Sequence, residues 1–84
     1  MRTAAVIATL NEAERIAGLV RALRGEVDEV VVSDGGSTDG TLDRAQAEGA
    51  RVVHGPPGRG AQLDRGAAVA VADRLWFLHA DTAV

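Results

Sequence analysis

Short apolar runs alternate with helix-periodic stretches along the whole chain. Thr3 to Ala8 (Thr-Ala-Ala-Val-Ile-Ala) is nearly continuous in apolar character, as expected of a parallel strand covered on both faces. Glu12 to Arg24 carries Ile16, Leu19, Val20 and Leu23 at i, i+3, i+4 and i+7, the spacing of one helix face. Asn11 stands where an N-cap belongs and Gly25 where a helix stops. Glu29 to Ser33 reads as a second strand. The turn from Asp34 to Asp39 then feeds a second helix through Glu48, with Ser37 or Thr38 as cap and Gly49 as stop. Its apolar stripe, Leu42 and Ala45, is thin. Arg51 to His54 is a short third strand, Gly55-Pro56-Pro57-Gly58 a loop, Gly60 to Ala72 a third helix, and Leu75 to Leu78 a fourth strand.

The series βαβαβαβ predicts an α/β domain with an open parallel sheet and right-handed crossovers. Strands one to three run outward in one direction, and the fourth returns to the other side of the first, giving the order 3-2-1-4. That reversal opens a crevice between the C-terminal ends of strands one and four, where open α/β sheets bind ligands. The Thr9-Leu10-Asn11-Glu12 turn and Asp81 both map to it.

The length of 84 residues allows one small domain with a modest core. Without cysteine, disulfides and thiolate metal sites are excluded. All nine basic residues are arginine, the formal net charge is −3, and both signs are scattered, so no basic stripe points to nucleic acid. No apolar run approaches the length of a membrane span and no signal-peptide pattern opens the chain. A cytoplasmic location is the expectation, with membrane association through other segments left open.

Four clusters carry chemistry, and each has a bland counterpart. At Thr9 to Glu12, Asn11 and Glu14 suit a capping box, while Thr9 and Glu12 are free to meet a nucleotide. In Val32-Ser33-Asp34-Gly35-Gly36-Ser37-Thr38-Asp39, Asp34 ends a strand on the ligand side and is expected to point into the crevice, whereas Asp39 is the acid of a helix's first turn. Gly55 to Gln62 makes a glycine-rich approach to a helix N-terminus, a natural anion site, and Arg59 adds a bidentate phosphate donor. It is neither a dinucleotide fingerprint, because Leu63 replaces the third glycine, nor a P-loop, because no lysine exists. His79 and Asp81 lie two apart at a strand end and so share a face; a carboxylate there suits Mg²⁺ or Mn²⁺ bridging to phosphates. His54 reads as a strand-end residue, and Trp76 and Phe77 as core or as packing for a further domain.

In order and spacing, these segments resemble the nucleotide-binding half of family 2 glycosyltransferases with the Rossmann-like GT-A fold: Ala5 to Glu12, Val30 to Asp39, Gly58 to Gly66, and Phe77 to Thr82. Gly58-Arg59-Gly60-Ala61-Gln62 and Leu78-His79-Ala80-Asp81-Thr82 are most similar to the small bacterial subgroup called selenodomain-associated transferase 2. The resemblance implies a metal-dependent, inverting transferase that uses a nucleotide-diphospho-sugar, most often a UDP-sugar, on an unassigned acceptor.

By that resemblance Thr9, Asn11, Glu12, Asp34, Arg59, His79 and Ala80 contact the nucleotide-sugar, with Asp34 on the base and Arg59 near the diphosphate. Asp81 matches the last acid of the family's Asp-x-Asp motif and is the expected ligand of Mg²⁺ or Mn²⁺. Two departures stand out: His79 occupies the first acid's position, and Asp64 stands where asparagine is frequent. The family's general base follows the metal motif, so it is expected downstream of Val84. Residues 1–84 are accordingly expected to be the nucleotide-sugar-binding part of a longer transferase domain, inactive alone. The alternatives are a stand-alone nucleotide-binding module without catalysis and a response-regulator-like signalling domain. The absence of lysine argues against the second of these.

Overall fold

The computed structural model describes residues 1–80 of the chain. Strands β1 (Thr3–Thr9), β2 (Glu29–Asp34), β3 (Arg51–His54) and β4 (Arg74–His79) alternate with helices α1 (Ala13–Arg24), α2 (Thr41–Ala47) and α3 (Arg59–Val69). The sheet is parallel in the order β3-β2-β1-β4, as the alternation of elements predicts. Among the described residues no helix is long and apolar enough to cross a membrane.

Strand parity divides the core. Ala5 and Ile7 of β1 and Val30 and Val32 of β2 join Ile16, Val20 and Leu23 of α1 and Ala45 of α2 in one buried cluster. The intervening residues Val6, Val31 and Ser33 face α3, which approaches closely at Gly66: a β-carbon there would stand 2.5 Å from Val6 Cγ1. Successive strand residues point to opposite faces, so both faces of β1 and β2 must be apolar. This is why β1 shows no alternation.

β4 is covered less well. It pairs with β1 through Ala5↔Trp76, Val6↔Phe77 and Ile7↔Leu78, and it is an edge of the sheet. By register Trp76 lies on the α1/α2 face and Phe77 on the α3 face. They are 47% and 52% exposed, so neither is the core residue its apolarity suggests.

The helix termini correct several sequence expectations. Asn11 is not the N-cap of α1: it adopts φ 53, a left-handed conformation that asparagine tolerates better than most residues. Glu12 holds the cap position without a side-chain cap bond. Two amides at the start of α1 are satisfied from the β2–α2 loop and the first residue of α2: Asp39 Oδ2 accepts from Ala13 N at 3.1 Å and Thr41 Oγ1 from Glu12 N at 3.0 Å. Asp39 also accepts the Thr41 N–H through Oδ1, so one carboxylate serves the starts of two helices. The Thr41 hydroxyl and amide hold its carboxyl below its ordinary value, and the Ala13 amide acts in the same direction. Helix α2 begins at Thr41 with a left-handed Gly40 at its cap position, so neither Ser37 nor Thr38 is its cap. Helix α3 ends at Val69 because Ala70 is already extended.

Candidate functional site

At the reversal of strand order, the C-terminal ends of β1 and β4 and the start of α3 enclose an open cleft of about 200 Å³. Ala8, Thr9, Leu10, Glu12, Arg59, Gln62, His79 and Ala80 line it. The parallel ladder fixes the floor: Ala8 is paired with His79, and Ala80 N donates to Ala8 O at 3.2 Å. His79 therefore lies on the α3 face of the sheet, the face on which Arg59 and Gln62 sit. Five residues expected at the site, Thr9, Glu12, Arg59, His79 and Ala80, line the cleft, although the Thr9 hydroxyl turns to Asp34 on the other face of the sheet.

Two expected residues do not. Asp34 is paired with Thr9 at the end of β2, one residue beyond Ser33, so its side chain falls on the α1/α2 face rather than in the cleft. It is fully buried. Oδ1 accepts the hydroxyls of Thr9 at 2.7 Å and Ser37 at 2.5 Å, and Oδ2 accepts the amides of Gly36 at 2.9 Å and Ser37 at 2.6 Å. Burial pushes this carboxyl's pKa up, but the hydroxyl and amide of Ser37, the Thr9 hydroxyl and the Gly36 amide together bring it below its ordinary value. In this structure Asp34 holds the β2–α2 turn. Asn11 lies beside that turn: its amide donates to Ser37 Oγ at 2.7 Å and its Oδ1 accepts from Thr38 N at 2.9 Å. Asp81 lies outside the described residues.

Of the three lining residues absent from the sequence-derived site, Ala8, Leu10 and Gln62, only Gln62 is polar. It is buried. Its Nε2 donates to the carbonyls of Thr9 at 2.9 Å and Ser33 at 3.0 Å, and its Oε1 accepts from Gly58 N at 3.0 Å. A side-chain amide thus joins the end of the β1–β2 ladder, where the Thr9 carbonyl also accepts from Gly35 N at 2.9 Å. The available signal was a glutamine at the fourth position of a helix whose neighbours are small and apolar, since a buried polar group needs partners.

An open parallel sheet with its cleft at the topological switch point, and a glycine-rich turn leading into a helix beside that cleft, define an α/β domain of the Rossmann-like class. Residues 4–84 match the family described as "Glycosyl transferase family 2". The chain belongs to that family. It is 37% identical to glucosyl-3-phosphoglycerate synthase of Mycolicibacterium smegmatis over 90% of its own length and 29% of that protein's. An uncharacterized glycosyltransferase of Rickettsia felis is 44% identical over 66% of the chain and 19% of the relative. Among solved structures, glucosyl-3-phosphoglycerate synthase of Mycobacterium tuberculosis, in complex with Mn²⁺, UDP and glucosyl-3-phosphoglycerate, superposes with a TM-score of 0.84 at 35% identity. That superposition covers 95% of this chain and 33% of the synthase; the same synthase is also known with Mg²⁺ and UDP. The chain spans about a third or less of the relatives it matches. The expectations of family and fold hold.

Proposed function

We propose that residues 1–84 form the nucleotide-sugar-binding part of a metal-dependent, inverting glycosyltransferase whose donor is a UDP-sugar. The observation carrying this reading is the convergence of Thr9, Glu12, Arg59, His79 and Ala80 on one cleft in a chain of this family. A relative 35% identical to it is known with UDP and Mn²⁺. The subgroup reading, selenodomain-associated transferase 2, rests on Gly58 to Gln62 and Leu78 to Thr82. The cytoplasm, where the donor would be met, is the proposed location. No acceptor is assigned.

Arg59 opens α3 and supplies a planar pair of donors for diphosphate oxygens. The α3 N-terminus follows Gly58, which offers no side-chain cap, so its first amides add positive potential at the same edge. Thr9, Asn11 and Glu12 form the nucleoside side of the reading. Asp34 is the proposed base contact; its carboxylate would exchange part of its present hydrogen bonding for a base N–H.

Mg²⁺ or Mn²⁺ is the proposed ion, by the family resemblance. Such ions bind through one or two carboxylates plus substrate phosphates rather than in an all-protein cage. Asp81, two residues past the cleft-lining His79, is the proposed ligand. When bound, the ion would neutralise charge developing on the leaving nucleoside diphosphate, and Arg59 would act on the same charge from the protein side.

Calorimetry of UDP binding to the intact protein, with Mn²⁺ and with chelator, tests the reading. Metal-dependent UDP binding that Asp81→Ala removes is the expected result. Equal binding with chelator, or an unchanged metal dependence in Asp81→Ala, takes Asp81 out of the site. Binding without donor hydrolysis or transfer favours the non-catalytic module.

A further inference from the structure

Gln62 lines the cleft, yet its amide has little left to offer a ligand. Both Nε2 hydrogens are spent on the Thr9 and Ser33 carbonyls, and Oε1 holds the Gly58 amide. These three partners belong to three different segments: the end of β1, the end of β2 and the residue before α3. Gly58 has φ 148, a conformation open to glycine and rarely to other residues. Arg59 follows it directly. The Gln62 side-chain amide, three residues into the helix that Arg59 opens, thus ties this turn to the ends of β1 and β2, beside the Gly55–Asp34 backbone bond that holds the start of the same loop.

From this arrangement we infer that Gln62 is a positioning residue for the donor diphosphate. It fixes the Gly58–Arg59 turn against the ends of β1 and β2 so that the Arg59 guanidinium is held over the cleft. The inference rests on the donor reading proposed above. It assigns Gln62 no contact with the donor and no proton. Its role is to remove the freedom of the turn before binding, and a pre-ordered turn loses less entropy when the diphosphate arrives.

The geometry also specifies a discriminating variant. In Gln62→Glu the side chain keeps its length, but an ionised carboxylate would face two carbonyl oxygens with no hydrogen to donate. That environment disfavours the charged form and raises the carboxyl's pKa. Once protonated, the group regains one donor and keeps an acceptor for Gly58 N. Anchoring in this variant is thus lost at neutral pH and partly regained on acidification, a behaviour that a simple packing defect would not show.

The test measures UDP affinity in the presence of Mn²⁺ for the intact wild-type protein, Gln62→Ala, Gln62→Glu, Arg59→Ala and the double variant Gln62→Ala/Arg59→Ala, between pH 5.5 and 8. Thermal unfolding is followed alongside. Each variant is expressed as a ratio to wild type at the same pH, which removes the nucleotide's own titration. The expected results are a loss of ten-fold or more in Gln62→Ala and in Gln62→Glu at pH 8, and a Gln62→Glu deficit that shrinks toward pH 5.5. Gln62→Ala should cost little further once Arg59 is already alanine, because the two act through one contact. If wild type binds and the Gln62 variants bind equally well at every pH, the inference is overturned. Full additivity with Arg59→Ala overturns it as well. A wild-type protein that binds no nucleoside diphosphate overturns the donor reading itself, and the role given to Gln62 with it.

Discussion

Gly35 and Gln62 exclude one another's growth: a β-carbon on Gly35 would stand 2.7 Å from Gln62 Oε1 and 2.9 Å from its Cδ. Pro57 Cα would lie 3.0 Å away on the same side. Gly35 does not have a positive φ, so the requirement for glycine is space rather than backbone conformation. Gly35→Ala is expected to destabilise the fold by about 1–3 kcal/mol, the usual cost of overpacking, as read from the urea midpoint. In a Gln62→Ala background most of that clash is gone, so the double variant should lose less than the sum of the singles.

Gly66 presents two opposed effects of known size. Alanine is the better helix residue by about 1 kcal/mol, and Gly66 lies in the middle of α3. Its β-carbon, however, would meet Val6 Cγ1 at 2.5 Å and Ser33 Cβ at 3.3 Å, and β1 cannot retreat without losing its pairing with β2 and β4. Overpacking at about 1–3 kcal/mol outweighs propensity, so Gly66→Ala should unfold at lower urea than wild type. A more stable variant would mean that α3 can slide off the sheet.

Ser33 gives the opposite sign. Its Oγ is buried and has no hydrogen-bond partner among the described residues, on the face that receives Gly66. Removing an unsatisfied hydroxyl removes a desolvation penalty of about 1–3 kcal/mol. Ser33→Ala should therefore leave the unfolding midpoint unchanged or raise it, without altering the sheet.

Asp34 predicts a dependence on acid. Its folded pKa is below the ordinary 3.8. The stability it contributes is therefore present above that value and lost as pH falls through the lower folded one. Asp34→Asn keeps the shape: Oδ1 can take the two backbone amides, and the hydroxyls of Thr9 and Ser37 can rotate to accept from Nδ2. It should cost about 1–2 kcal/mol at pH 7, since hydrogen bonds to a charged group are the stronger ones, and it should flatten the acid limb of the stability curve. Asp34→Ala strands two amides and should cost more. If Asp34 also meets the base, UDP affinity in Asp34→Asn falls by about 1–3 kcal/mol. Equal affinity in wild type and variant would confine Asp34 to the turn.

The 84-residue chain should self-associate through β4. This strand is an edge of the sheet and bares Trp76 on one face and Phe77 on the other, which makes it a template for pairing. Light scattering is expected to show oligomers, and Phe77→Lys, a charge on the edge, should reduce them. A monodisperse monomer with cooperative unfolding would count against the prediction.

The sequence by itself determined the order of elements, the parallel sheet and its 3-2-1-4 order. Apolar runs of strand length and helical periodicity are local signals, and crossover handedness leaves few ways to join them. It also placed the cleft, because Thr9, Glu12, Arg59 and His79 follow or precede elements whose ends the topology brings together. Tertiary structure alone decided which of these side chains share a face and what caps each helix. Asp39 and Thr41 satisfy the start of α1 from 26 and 29 residues away, so no local reading could prefer them to Asn11. Asp34 faces α1 and α2 by one step of strand parity from Ser33, and which helices cover that face is decided by the packing of the whole domain. Gln62 bridges 53 residues to Thr9 and 29 to Ser33. A buried amide is recognisable only once its partners are in place, because what makes it functional is the geometry of distant carbonyls and not its own neighbours in the chain.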